Sequence, residues 1–112
     1  MASCTFEFVN PNNIVAGSNT GVTVYYFDHD GNAVTPDSAN YTLMDSEGSI
    51  VNEKVNEPIT GLSTSSFIFL SGDDLKSGYS KLTQYIIIEA VYDTDKPIRD
   101  FAKFTVLDLV FN

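Results

Sequence analysis

The chain has 112 residues, 43% of them hydrophobic, which suits one domain and is too short for two with separate cores. Fifteen acidic residues against six basic ones give a formal net charge of -9, a field that repels nucleic acid and anionic lipid. One cysteine and one histidine exclude an internal disulfide, a cysteine-built zinc site and most triad chemistry, so stability has to come from burial.

The opening Met1-Ala2-Ser3-Cys4-Thr5-Phe6-Glu7 has neither the basic nor the apolar part of a secretory leader, and no apolar run approaches the roughly 18–20 residues of a membrane span. The expectation is a protein that stays where it is made, away from membranes. Phe6 to Val9 begins an extended segment, broken at Asn10-Pro11-Asn12-Asn13 and resumed at Ile14-Val15-Ala16. Gly21 to Asp28 alternates as a strand, with Val22, Val24 and Tyr26 on one side and Thr23, Tyr25 and Phe27 on the other; Asp28-His29-Asp30-Gly31-Asn32 ends it as a turn. Asn40 to Asp45 reads as a strand joined through Asp45-Ser46-Glu47-Gly48-Ser49 to Ile50-Val51. A weak strand falls at Ile59-Thr60, a short apolar one at Ser66 to Leu70, and a helical turn at Asp73 to Gly78. Leu82 to Asp93 is the strongest strand, and a last one runs from about Arg99 to Leu109.

About seven short strands without helical periodicity predict an all-β fold, a single Ig-like or fibronectin III-like β-sandwich of antiparallel strands spanning residues 1–112. Its core is expected to hold Val22, Val24, Tyr26, Tyr41, Leu43, Phe67, Phe69, Ile86, Ile88, Ala90, Phe104 and Val106.

The residues that suggest chemistry are acidic. Asp28-His29-Asp30-Gly31-Asn32 resembles part of a calcium loop, but the twelfth position of an EF-hand, which needs a bidentate Glu, falls on Ala39. In a sandwich this turn shares an end with Asp93-Thr94-Asp95-Lys96, so Asp28, Asp30, Asp93 and Asp95 are the candidate metal ligands, with calcium the one cofactor considered and none the main expectation. Ordinary solvated turns are the competing reading. No nucleophile–base pair, G-x-S-x-G or phosphate loop is present, and a non-enzymatic protein is expected.

If Ile86 and Ile88 face inward, Tyr85 and Ile87 face outward, and together with Tyr25 and Phe27 they form an apolar outer face larger than a monomer needs. Leu107, Leu109 and Phe111 add an apolar terminal strand suited to pairing with another chain. Tyr25, Phe27, Tyr85, Ile87, Leu107, Leu109 and Phe111 are therefore the expected interface, with self-association into a homo-oligomer or docking to other proteins as its use.

Tyr25-Tyr26-Phe27-Asp28 to Gly31, Val34-Thr35-Pro36, Tyr41-Thr42-Leu43 with Asp45 and Gly48, Tyr85-Ile86-Ile87-Ile88 to Asp93, and Phe104-Thr105-Val106 together resemble the small Ig-like proteins of tailed-phage virions. The resemblance covers about residues 20 to 107. It implies a structural module on capsid, neck or tail, assembled in the host cytoplasm with other virion proteins or itself, without enzymatic activity. The alternative is an extracellular adhesive or ligand-binding Ig-like or fibronectin III-like module, with calcium in the acidic loops.

Overall fold

A computed structural model describes residues 2–9, 14, 18–75 and 81–107, the side chains of 73, 81 and 82 excepted. Seven strands follow one another: β1 (Ser3–Phe8), β2 (Asn19–Phe27), β3 (Ser38–Asp45), β4 (Glu57–Pro58), β5 (Ser65–Ser71), β6 (Lys81–Tyr92) and β7 (Lys96–Leu107). They form two antiparallel sheets, β1-β2-β5 and β4-β3-β6-β7, and thus one β-sandwich of the expected class. The short β4 pairs with β3 rather than joining the first sheet, so the sheets hold three and four strands where a constant-type Ig domain has four and three. Among the described residues no helix is long and apolar enough to cross a membrane.

The longest pairing is β6 with β7, in register from Lys81 opposite Leu107 to Tyr92 opposite Lys96. Asp93 and Thr94 make the turn between them with φ of 50° and 73°, a left-handed geometry that aspartate accepts more readily than most side chains. The other flank of β6 pairs with β3, and β2 lies between β1 and β5. Strands held on both sides cannot shift register without turning their apolar set to solvent, which is why β2 and β6 present their alternation so clearly.

Between the sheets, Val22, Val24 and Tyr26 meet Leu43, Ile86, Ile88, Ala90, Phe104 and Val106, all buried as expected. Ile14, Leu70, Leu75, Ile98 and Tyr92 are also among the buried residues of the core. The buried Tyr26 hydroxyl donates to Ser66 Oγ at 2.9 Å, which removes the cost of sealing a polar tip in the core.

Several expectations differ from the structure. Phe67 and Phe69 are 58% and 57% exposed, whereas Ser66, Ile68 and Leu70 face inward, so the parity of β5 is the reverse of that expected. Tyr41 is only partly buried. The weak strand lies at Glu57–Pro58 rather than at Ile59-Thr60, and Ile50 makes only a single bridge to Met44. Asn52 and Glu53, at φ 53° and 56°, bend the chain back at that point, and Val51 N–H and Lys54 carbonyl both bond Leu43. A helical turn exists as a 3₁₀ turn at Gly72–Asp74, one residue earlier than expected; Gly78 lies outside the described residues.

Candidate functional site

The turns Asp28–Asn32 and Asp93–Asp95 share one end of the sandwich, as the fold class requires, and His29 links them. Its backbone N–H donates to the Tyr92 hydroxyl at 3.2 Å, and its Nδ1 lies 3.3 Å from the same oxygen. The acids expected to ligate a cation do not form one group, and the carboxylates of Asp28, Asp30 and Asp93 make contacts within their own turns. Asp28 Oδ1 accepts the N–H groups of Asp30 and Asn32. Asp30 lies 3.4 Å from His29 Nε2. Asp93 receives Lys96 Nζ at 2.7 Å; this hydrogen bond, with the charge behind it, holds the Asp93 carboxyl below the usual carboxylate range and the Lys96 ammonium above its own. Asp95 donates its N–H to the Asp93 carbonyl. Among the described residues no three His, Cys, Asp or Glu side chains are gathered as a metal site, and Asp28, Asp30, Asp93 and Asp95 make no such group.

The apolar residues expected on one face are divided between two. Tyr25 and Phe27 belong to β2, whose neighbours are β1 and β5; Tyr85 and Ile87 belong to β6, between β3 and β7. The two pairs therefore stand on opposite outer faces of the sandwich. Leu107 ends β7 half-buried, its N–H donating to the Ile14 carbonyl at 2.7 Å. Leu109 and Phe111 lie outside the described residues.

On the outer face of the second sheet the register builds three rows across β3, β6 and β7. Met44, Tyr85 and Lys103 form one row, Thr42, Ile87 and Phe101 the next, and Asn40, Glu89 and Arg99 the third. Met44, Tyr85, Ile87, Arg99, Asp100 and Phe101 line an open groove of about 530 Å³ there. The Tyr85 and Phe101 rings are tilted against each other with centroids 6.0 Å apart, and Phe101 remains 58% exposed. Aromatic side chains left this open on a regular sheet are ready to stack or pack against a further group. Arg99 and Lys103, two of only six basic residues, stand exposed on either side of Phe101 along β7. Glu89 faces Arg99 across the strands. Asp100 is turned to the sandwich edge, where its carboxylate accepts the N–H groups of Cys4 and Phe101.

Sequence reasoning reached Tyr85 and Ile87 but missed Met44, Arg99 and Phe101. The signal for the last two was available: placing Phe104 and Val106 in the core puts Arg99, Phe101 and Lys103 outward by the period of two.

These features define a β-sandwich with an apolar, cation-flanked groove on its larger sheet. The fold is similar to that in the crystal structure of CopC from Methylosinus trichosporium OB3b, with a TM-score of 0.58 and 15% identity over 100% of this chain and 99% of that one. At that identity the likeness is one of fold. No protein-family model and no curated protein matches the sequence.

The comparison corrects three expectations. The structure matched is a CopC and not a phage virion protein, so the virion function and its capsid, neck or tail localisation are overturned. The same finding overturns the cofactor expectation, because a likeness to CopC supports neither calcium nor the absence of a cofactor. A transition metal of the copper or zinc class would need imidazole or thiolate donors brought together. This chain has one of each, and they do not fit. Cys4 is buried in β1, and its thiol is pushed up to about 12, first by desolvation and then by the Asp100 charge, which disfavours the thiolate a metal binds. His29 sits in the β2–β3 turn with Tyr92 and Asp30 as its neighbours.

Proposed function

We propose that the protein is a non-enzymatic ligand-binding module whose binding surface is the outer-face groove of the second sheet. The observation that carries this reading is the placement of Tyr85, Ile87, Met44 and Phe101 beside Arg99 and Lys103 in a chain of net charge -9. A groove of this volume lies within the usual range for small-ligand sites, roughly 300–1,000 Å³, and its apolar floor with few charged groups is the usual composition. The ligand class that fits has an aromatic body, to pack on Tyr85 and Phe101, and an anionic group within reach of Arg99 or Lys103. Because a shared fold does not decide function, the reading rests on the residues of the groove itself.

Titration with anilinonaphthalene sulfonate, an aromatic sulfonate whose emission rises on apolar surfaces, tests the proposal. Saturable binding with one site per chain is expected, weakened about tenfold by Phe101→Ala and several-fold, in a salt-dependent way, by Arg99→Ala. Binding that survives Phe101→Ala unchanged, or that is lost instead on Phe69→Ala, would count against this groove.

A further inference from the structure

In the first sheet β5 pairs with β2 on one flank, and among the described residues no strand occupies its other flank. Antiparallel pairing lets alternate residues point their backbone groups toward the partner. Tyr26 N–H bonds Thr64 carbonyl, and Gly72 N–H bonds Ser18 carbonyl. These two bonds set the phase, so Ser66, Ile68 and Leu70 address β2, while Ser65, Phe67, Phe69 and Ser71 direct their N–H and C=O groups outward.

The ends of this outward row are closed by the chain itself. Ser65 N–H donates to Ser63 Oγ, and Ser63 Oγ–H donates back to the Ser65 carbonyl. Ser71 N–H donates to Asp74 Oδ2 at 3.1 Å. That leaves the backbone of Phe67 and Phe69 as the open part of the edge. The same two residues carry the most exposed aromatic rings of the first sheet. Phe67 is held over Gly21, where any Cβ would collide with its ring. A shallow groove of about 150 Å³ runs along this edge, between Phe67, Ile68 and Phe69 and the Pro58–Thr60 segment.

Edge strands are usually protected by charge, proline or a bulge. Ser65-Ser66-Phe67-Ile68-Phe69-Leu70-Ser71 has none of the first two, although the chain carries fifteen acidic residues elsewhere. Its outward row is also symmetric about Ile68, with Phe67 mirrored by Phe69 and Ser65 by Ser71, while Ser66 and Leu70 on the inward side differ. From this coincidence of free backbone groups, symmetry and lack of charge we infer that β5 is a self-association edge whose occupant is β5 of a second copy of this chain.

Antiparallel pairing centred on Ile68 places Phe67 opposite Phe69 of the partner subunit and Phe69 opposite Phe67 of the partner subunit. Both residues have outward backbone groups, so the two pairs are of the hydrogen-bonded type and exchange four N–H···O=C bonds. The four rings then lie together on one continuous outer face as cross-strand aromatic pairs. A six-stranded sheet results, and the contact is isologous and closes at two copies. An unrelated extended peptide could satisfy the backbone but has no reason to supply the mirrored pair of aromatics, which a second copy supplies by symmetry.

Sedimentation velocity over a concentration series, together with amide exchange at each concentration, tests this. The expected result is a species of twice the 12.3 kDa chain mass at high concentration, with Phe67 and Phe69 N–H exchange slowing as it forms. Phe69→Pro removes one outward donor without touching the β2 ladder, and Phe69→Lys places like charges across the seam. Each should weaken dimerisation by about tenfold or more, and one remains informative if the other fails to fold. A chain that stays monomeric at millimolar concentration overturns the inference. So does a dimer unchanged by both substitutions, one lost instead on Phe101→Lys in the opposite face, or protection of Phe67 and Phe69 seen only with an added peptide.

Discussion

The turns at Asp28 and Asp45 are built alike. Asp28-His29-Asp30-Gly31-Asn32 and Asp45-Ser46-Glu47-Gly48-Ser49 share an aspartate, an acid two residues on, a glycine and a small polar residue. In each, the first carboxylate accepts the N–H groups two and four residues later, at 2.9 and 3.0 Å. In each, the aspartate N–H bonds the last carbonyl, and the glycine N–H bonds the aspartate carbonyl. Gly31 and Gly48 stand at φ 86° and 84°. Burial separates them: Asp45 is 5% exposed, while Asp28 is only partly covered. A pattern that resembles a calcium loop at one site is thus repeated at another, and in both it reverses the chain. In both, Oδ1 of the first aspartate is directed at backbone donors.

If burial sets the difference, the largest effect belongs to Asp45→Ala. Two hydrogen bonds to a charged acceptor disappear, and the vacated site is screened from water on most sides. The loss should be about 2–3 kcal/mol, seen as a melting temperature lower by roughly 10 °C. Asp45→Asn keeps one acceptor oxygen and should recover part of it. A loss for Asp45→Ala no larger than that for Asp28→Ala would break the comparison.

The glycines test the part the two turns have in common. A Cβ at Gly31 or Gly48 meets nothing within 4 Å, so the cost of Gly→Ala is the left-handed backbone alone. Chemical denaturation should show about 1 kcal/mol for each substitution, equal within error despite the unequal burial of their aspartates. Unequal values would show that the turns differ in backbone strain as well as in solvent access.

Much of this fold was readable from alternation, and the failures have a common cause. Val22, Val24 and Tyr26, like Ile86, Ile88 and Ala90, lie in strands paired on both flanks and separate cleanly into two faces. Phe67, Ile68, Phe69 and Leu70 are apolar at every position, so hydrophobicity contains no parity; it is set by the Tyr26–Thr64 bond and by the space Gly21 leaves for the Phe67 ring. The candidate groove was half legible for a related reason. Facing direction follows from the period of two, but which strands lie side by side is decided by long-range pairing, so Tyr85 could be placed outward without revealing that Met44 and Phe101 flank it while Tyr25 does not. The acidic turns were not decidable from residue types, because cation loops and aspartate-capped turns use the same ones.

The smallest effect expected is that of Asp28→Ala, and it bears most directly on what the acidic end of the sandwich does. Asp30 and Asn32 are exposed, so water can take the place of the lost carboxylate at their N–H groups. The cost should therefore stay near that of an ordinary cap, about 1 kcal/mol or less. His29 keeps its bonds to Tyr92, so the link between the two turns should persist, visible as an unchanged Tyr92 ring environment by NMR. Because Asp28 bonds backbone rather than a cation, the loss should be the same in chelator and in millimolar calcium. A cost that appears only when calcium is present would instead mean that a ligand binds this turn, and the likeness between the two turns would then be one of sequence and geometry without a common purpose.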